Sequence, residues 1–264
     1  MALERSRGNG TAERVIRVMQ TFADLPGDTH TLKTIADATG FDAAVVHRIL
    51  TTTVALGWTE RLGHGIYRLG SSAATTGMWA MAGMYSRLDP HQVLLDLQRS
   101  CGGMVLMYSL APFGARRVCS DYALGQHAFE DFGMTADDMF TTGAFLRVGA
   151  SGRTMLAYVP DDVRETALAQ PIPPTAGPGA LDNQAILDSL PAIRSNGYTI
   201  GRQECLTGWD SVAAPALWDD TILGVVLLLK PLHDIPTDIT DYIEPVRLAA
   251  KLITVAAHST YTVA

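Results

Sequence analysis

Basic charge, cysteine and charged residues in general are all scarce in this chain, and each shortage removes a class of protein. With 20 Lys and Arg against 27 Asp and Glu, the formal net charge is −7. A molecule that coats itself on nucleic acid through bulk positive charge is therefore excluded. Only 18% of residues are charged and 47% are apolar, which excludes a disordered chain and supplies enough apolar surface for one or two folded domains. The three cysteines, Cys101, Cys119 and Cys205, lie far apart without CxxC spacing, which argues against a disulfide framework or a zinc ribbon. The longest apolar run, residues 222–229, is the size of a strand and too short to cross a bilayer. The opening stretch MALERSRGNG has no apolar signal region, so a cytoplasmic location with no membrane partner is expected. No HExxH, GxSxG, GxGxxG or P-loop is present. His91, His127, His233 and His258 have no partner spacing, so no catalytic residue, cofactor or resident metal is expected. Cys205 beside Glu204, or Ser211 after Asp210, come nearest to a nucleophile. Cys205 and Asp210 with a histidine come nearest to a metal set.

The acidic balance is not evenly spread. Residues 1–70 hold eight Lys and Arg against seven Asp and Glu, a net of +1, while the remainder holds 12 against 20. The acid lies outside the first 70 residues. A net of +1 permits nucleic-acid binding through a few placed contacts rather than a broad basic patch.

Within that first part, Thr31 to Thr53 (TLKTIADATGFDAAVVHRILTTT) reads as two short helices around a tight turn. Thr31 is placed to cap the first helix, whose Ile35 and Ala36 face inward. Gly40 ends it, where a left-handed residue is needed. Asp42 is placed to cap the second, which runs to Leu56 with Gly57 as its stop, and Val46, Ile49 and Leu50 form its apolar face. Small Ala36 allows the helices to cross closely. This is a helix-turn-helix pattern. Its second helix presents Ala43, Ala44, His47, Arg48 and Thr51 outward, and in that motif this is the helix that enters a major groove. An ordinary helical hairpin has the same signature. A preceding helix is expected over Thr11–Ala23, with Val15, Ile16, Met19 and Phe22 on one stripe. Arg5 and Arg7 fall in a polar tail. A hairpin with glycines in its turn is expected in WTERLGHGIYRLG, residues 58–70. Helix, helix-turn-helix and hairpin in this order make a winged helix-turn-helix. Arg61, His64 and Arg68 on the wing are placed to meet a sugar-phosphate backbone.

On these residues the chain resembles the IclR-type bacterial transcriptional regulators. LKTIADATG (32–40), VHRIL (46–50), ALGWTER (55–61) and YRLG (67–70) carry the likeness. The family usually has a Ser-Thr type pair just before the Val-His-Arg run. Here those positions are Ala44 and Val45, so hydroxyl contacts there are lost and target readout must differ. Farther on, GASGRTMLA (149–157) and the stretch from IRSNGYTIGRQE through GWDSVAAPAL to ILGVVLLL (193–229) resemble the two signature segments of the family's effector domain.

The intervening chain supports that layout. SSAATTGMWAMAGMYSRL (71–88), with Met78, Trp79, Met81, Met84 and Tyr85, is expected as a linker helix partly buried on a partner chain. Helices are expected over 90–100, 151–159, 161–170, 182–196 and 239–257. Strands are expected over 104–110, 116–122, 198–203, 211–217 and 221–229. The acidic segment 125–142 shows no clear period. The resulting fold class is α+β: a winged helix-turn-helix domain over 1–70, a linker helix over 71–88, and a GAF-like α/β effector and oligomerisation domain over 89–264 with a mainly antiparallel sheet.

The resemblance implies an effector pocket drawing on Ala150 and Ser151 before a helix, on Gly201, on Trp209 and Ser211 in the loop from Glu204 to Ser211, and on Leu227 and Leu229. The family's usual Gly-Lys is here Gly152-Arg153. Relatives with small acid effectors carry polar groups at these places, so Leu227 and Leu229 point to a mostly apolar small organic effector. The implied function is a ligand-responsive regulator, a homodimer or homotetramer on palindromic double-stranded operator DNA. The competing reading is a small-molecule sensor whose helix-turn-helix serves only protein contacts. Ala44, Val45 and the near-neutral charge favour it.

Overall fold

A computed structural model describes residues 10–83, 89–111, 115–132, 135 and 144–258. They form two compact units, the first made by the elements through Gly83. The tail arginines Arg5 and Arg7, Met84 and Tyr85 of the linker, and half of the acidic segment lie outside the described residues.

The first unit packs α1 (Gly10–Asp24), α2 (Leu32–Thr39) and α3 (Ala43–Ala55) around Val18, Phe22, Ile35, Val46, Ile49, Leu50 and Tyr67. The inward stripe of α1 is Val15, Val18 and Phe22, while Ile16 faces solvent. Of the expected stripe Val15, Ile16, Met19 and Phe22, it is Ile16 that falls off the narrow arc shared by Val15, Val18 and Phe22. Thr31 caps α2, its hydroxyl accepting from Thr34 N at 3.1 Å. Gly40 adopts φ 69°, and its N–H donates to Ala36 O at 2.9 Å, so the chain reverses where a side chain would be strained. Asp42 occupies the cap position of α3 but makes no side-chain cap bond. The Asp42 carbonyl takes the N–H groups of Val45 and Val46 instead, and the carboxylate is left in solvent.

The wing is β2 (Thr59–Arg61) and β3 (Ile66–Leu69), with Gly63 and Gly65 at positive φ in the turn. A further short strand, β1 (His30–Thr31), adds to the outer side of β3 with His30 opposite Tyr67. Buried hydroxyls of Thr53 and Thr59, 2.8 Å apart, tie α3 to the wing. Helix α4 (Ser71–Gly83) follows, with Met78 71% and Trp79 75% exposed.

The second unit is one antiparallel sheet with helices on both faces. Its strands are β4 (Met104–Leu110), β5 (Arg116–Ala123), β6 (Ala144–Phe145), β7 (Thr199–Arg202), β8 (Trp209–Trp218) and β9 (Thr221–Pro231), in the order β6-β5-β4-β9-β8-β7. Alternation divides them cleanly. Val105, Met107, Val212, Ala214, Val226 and Leu228 face α5 (Pro90–Cys101) and α9 (Ile243–His258). Met104, Leu106, Ala213, Val225, Leu227 and Leu229 face α6 (Gly149–Leu156), α7 (Asp161–Ala169) and α8 (Asn183–Asn196). A bulge between Met107 and Tyr108 shifts the register against β5. The Asp89 and Asp182 side chains cap α5 and α8. The closing helix begins later than residue 239. A 3-10 turn, Ile239–Tyr242, precedes it and leaves Pro245 as the third residue of α9, where a missing N–H costs nothing. Within the described residues of the acidic segment, Phe129–Phe132 forms a 3-10 turn.

Candidate functional site

Two surfaces bear on function, one in each unit. In the first, α3 buries Val46, Ile49, Leu50 and Thr53, which fixes the opposite side outward. Ala43, Ala44, His47, Arg48 and Thr51 are all exposed, as are Thr31 and Asp42 at the helix starts. Thr51 spends its hydroxyl proton on His47 O at 2.8 Å. On the wing Arg61 and His64 are exposed, and Arg68 is exposed but bound. Its Nε and Nη2 donate to Glu60 Oε2 at 2.9 and 2.8 Å.

In the second unit three of the residues named for an effector, Gly201, Ser211 and Ala150, come together at the start of α6. Gly201 on β7 pairs with Ser211 on β8, which pairs with Leu229 on β9. Leu227 follows two residues earlier on the same face, opposite Ala213. Ala150 lies over Gly201 so closely that a Cβ added to the glycine would stand 3.1 Å from Ala150 Cβ and 2.6 Å from Ser211 Oγ. Helix α6 begins at Gly149 rather than Ser151, and all eight of its residues are buried. Trp209 is the first residue of β8 rather than a loop residue. Its ring meets His127 edge to face, with centroids 5.4 Å apart.

Polar groups outside the seven residues named for an effector are also buried in this unit, Arg117 and Tyr108 among them without any expectation from the sequence. Arg153, on α6, pairs with Glu204 inside the protein, both side chains less than a tenth exposed. Arg153 Nε donates to Glu204 Oε2 at 3.1 Å, and Nη2 donates to Oε1 and to Ile200 O. Burial raises the Glu204 carboxyl above its ordinary range, with Arg153 opposing. Arg117, from β5, is 3% exposed and lies over the Tyr108 ring at 4.9 Å. Its Nη1 donates to Phe145 O. Burial raises the Tyr108 hydroxyl and the Cys205 thiol, Arg117 opposing in both, and pushes the Cys119 thiol up to about 12. These three groups are therefore neutral near pH 7. Ser151 Oγ is fully buried and has no hydrogen-bond partner among the described residues.

A strand pattern such as RRVCSDYA places Arg117 on one face but does not say that the face is covered. The one available signal was alternation, since Arg117 and Cys119 share a side. Among the described residues no group of three or more His, Cys, Asp and Glu is arranged to hold a metal, and no helix is long and apolar enough to cross a membrane.

Comparisons agree with this arrangement. The IclR helix-turn-helix domain profile matches residues 11–63, and the profile for the bacterial transcriptional regulator IclR C-terminal domain matches residues 144–225. No curated protein sequence matches the chain. Among solved structures, an IclR homolog from Microbacterium sp. strain HM58-2 is 20% identical, over 94% of this chain and 98% of that one, with a TM-score of 0.55. An IclR homolog from Microbacterium hydrocarbonoxydans, complexed with 4-hydroxybenzoate, is 22% identical over 94% and 99%, with a TM-score of 0.54. The Agobacterium tumefaciens repressor BlcR is 16% identical over 96% and 98%, with a TM-score of 0.52. With a helix-turn-helix DNA-binding domain followed by an effector-binding domain, the chain belongs to the IclR family of bacterial transcriptional regulators.

Proposed function

We propose that this regulator reads a palindromic operator as a homodimer or homotetramer and that a small organic molecule controls it from a site at the start of α6. The organisation is a DNA-binding head over 1–70, a linker helix over 71–88 and an effector and oligomerisation domain over 89–264. The observation that carries the reading is the outer side of α3: Ala43, Ala44, His47, Arg48 and Thr51 form an exposed strip on a helix whose other side is locked into the core. In that strip Arg48 supplies bidentate donors for a guanine edge, and His47 lies beside it. Arg61, His64 and Arg68 grip the backbone and set register without reading sequence.

One recognition helix reads a few base pairs, so useful affinity calls for two heads about 34 Å apart, on half-sites roughly 10 base pairs apart or a multiple of that. The exposed Met78 and Trp79 of α4 support that helix as part of the contact between chains, because two adjacent large apolar side chains at that exposure gain by being covered. The effector acts by binding two arrangements of the assembly with different affinity. Leu227 and Leu229 suit a largely apolar ligand body, and a relative of this fold was crystallised with 4-hydroxybenzoate. A sensor with a vestigial helix-turn-helix is the second reading, favoured by Ala44 and Val45 where hydroxyl side chains are usual.

Gel shift and footprinting on the DNA flanking the protein's own gene test the reading. The wild type should protect one discrete site. Arg48→Ala should lose that footprint while sedimenting as the same oligomer. A variant that protects the same site at equal concentration contradicts the role of α3.

A further inference from the structure

The outward side of α3 has a small apolar centre. With about 100° between successive side chains on a helix, Ala44 points within about 10° of directly away from the mean direction of the buried Val46, Ile49, Leu50 and Thr53. Arg48 and Thr51 lie about 30° to either side of that line, whereas His47 stands about 70° off it and Ala43 about 110°. Ala44, Arg48 and Thr51 are all exposed.

These three residues offer base edges few hydrogens. Ala44 has none. Thr51 donates its hydroxyl proton to His47 O at 2.8 Å, so it has no proton left for a base, and its methyl group is what it adds. Of the three, Arg48 alone has free donors for a base edge. The start of the helix is no seat for a phosphate. Asp42 makes no cap bond, and its exposed carboxylate stands beside the amides that an anion would use. The first turn is left to approach the floor of a major groove, and an alanine at its centre adds little bulk to that approach. The apolar group on that floor is the C5-methyl of thymine.

We propose that Ala44 and Thr51 read thymine methyl groups on either side of a guanine held by Arg48. Each half-site of the operator then carries a thymine, on one strand or the other, within about two base pairs of that guanine on each side. The proposal rests on the reading of α3 as the recognition helix and names what that helix reads. The spacing follows from the helix. Ala44 precedes Arg48 by about 6 Å along the axis and Thr51 follows it by about 4.5 Å, against about 3.4 Å per base pair. Each contact is apolar, so losing one methyl costs about fourfold in affinity, the scale of one buried methyl group.

The test begins with the full-length protein and a library of random duplexes long enough for two half-sites, from which bound sequences are selected. Each thymine of the selected site is then replaced, one at a time, by deoxyuridine, which pairs with adenine as thymine does and lacks only the methyl group. Fluorescence anisotropy gives the affinities. On each side of the guanine one replacement should weaken binding about fourfold. Ala44→Gly should bring the thymine-to-uracil ratio on its side to one and leave the other side unchanged, whatever it does to overall affinity. Thr51→Ser keeps the hydroxyl and should do the same on the opposite side. The ratio in the wild type needs no variant, so it decides even where Ala44→Gly fails to fold. A selected site at which no deoxyuridine weakens binding overturns the proposal and leaves α3 as the recognition helix, as do ratios that survive both variants. Sensitivity on one side only overturns the role of the residue on the other. A wild type that selects no sequence overturns the reading of α3 as well.

Discussion

Arg68 donates both Nε and Nη2 to one oxygen of Glu60, its directly opposed neighbour across the wing. The pair is exposed on both sides, 47% and 43%, so it adds little to stability. Its effect is on charge: of the two wing arginines proposed to meet a phosphate backbone, one is already answered within the protein.

Replacing Glu60 with Ala should therefore strengthen DNA binding. Non-specific affinity is expected to rise about two- to fivefold at low salt, with a salt slope steeper by about one phosphate contact. Arg61→Ala should do the reverse, weakening all sequences alike. Fluorescence anisotropy on operator and scrambled duplexes over a salt series measures both. An unchanged slope in Glu60→Ala would mean that Arg68 never reaches the backbone.

Breaking the Arg153–Glu204 pair from one side should cost far more than removing it. Glu204→Gln leaves a buried guanidinium half-answered and is expected to lose about 3–5 kcal/mol of stability. The double replacement Arg153→Met with Glu204→Leu should recover most of that loss, because the site then holds apolar side chains of similar size. Urea unfolding of the three proteins, with slopes compared, separates the cases.

Acid sensitivity has a traceable source in the loop before α9. Asp238 accepts from Thr240 N at 2.9 Å and from Arg202 Nη2 at 3.1 Å, and these bonds, the backbone one first, lower its carboxyl below the ordinary range. A depressed native value contributes stability that is complete above the unfolded carboxyl's pKa of about 4 and is lost as pH falls through the lower native value. Wild type and Asp238→Asn should differ in melting temperature at neutral pH, the wild type higher, and should converge toward pH 3. Curves that stay parallel would assign the contribution elsewhere.

What could be read in advance was what is settled locally. Thr31, Gly40 and the glycines of the wing turn act within a few residues, and the expected helices and hairpin form around them. The strand His30–Thr31 was not legible, because two residues become a strand only by lying beside Tyr67 and Ile66. The facing of α1 was misplaced because Ile16 and Val18 are both apolar and only packing chooses Val18. Trp209 follows a bend that ends in Gly208 and reads as loop until pairing with Pro231 extends β8 to include it. Of the residues named from family likeness, Gly201, Ser211 and Ala150 lie together at the start of α6, whereas Arg117 did not stand out in the sequence. An arginine on an edge-side strand ordinarily points to water, and its burial is decided by α6 and β6 arriving from elsewhere in the chain.

Helix α6 has no outward side. Surface helices such as α9 alternate covered and open positions, and substitutions are easily absorbed on the open ones. Eight consecutive enclosed positions give a substitution no such outlet, and two of them, Gly149 and Gly152, have a neighbouring side chain or carbonyl where a larger residue's Cβ would go. The segment is therefore the part of the second unit least able to absorb a change of side chain.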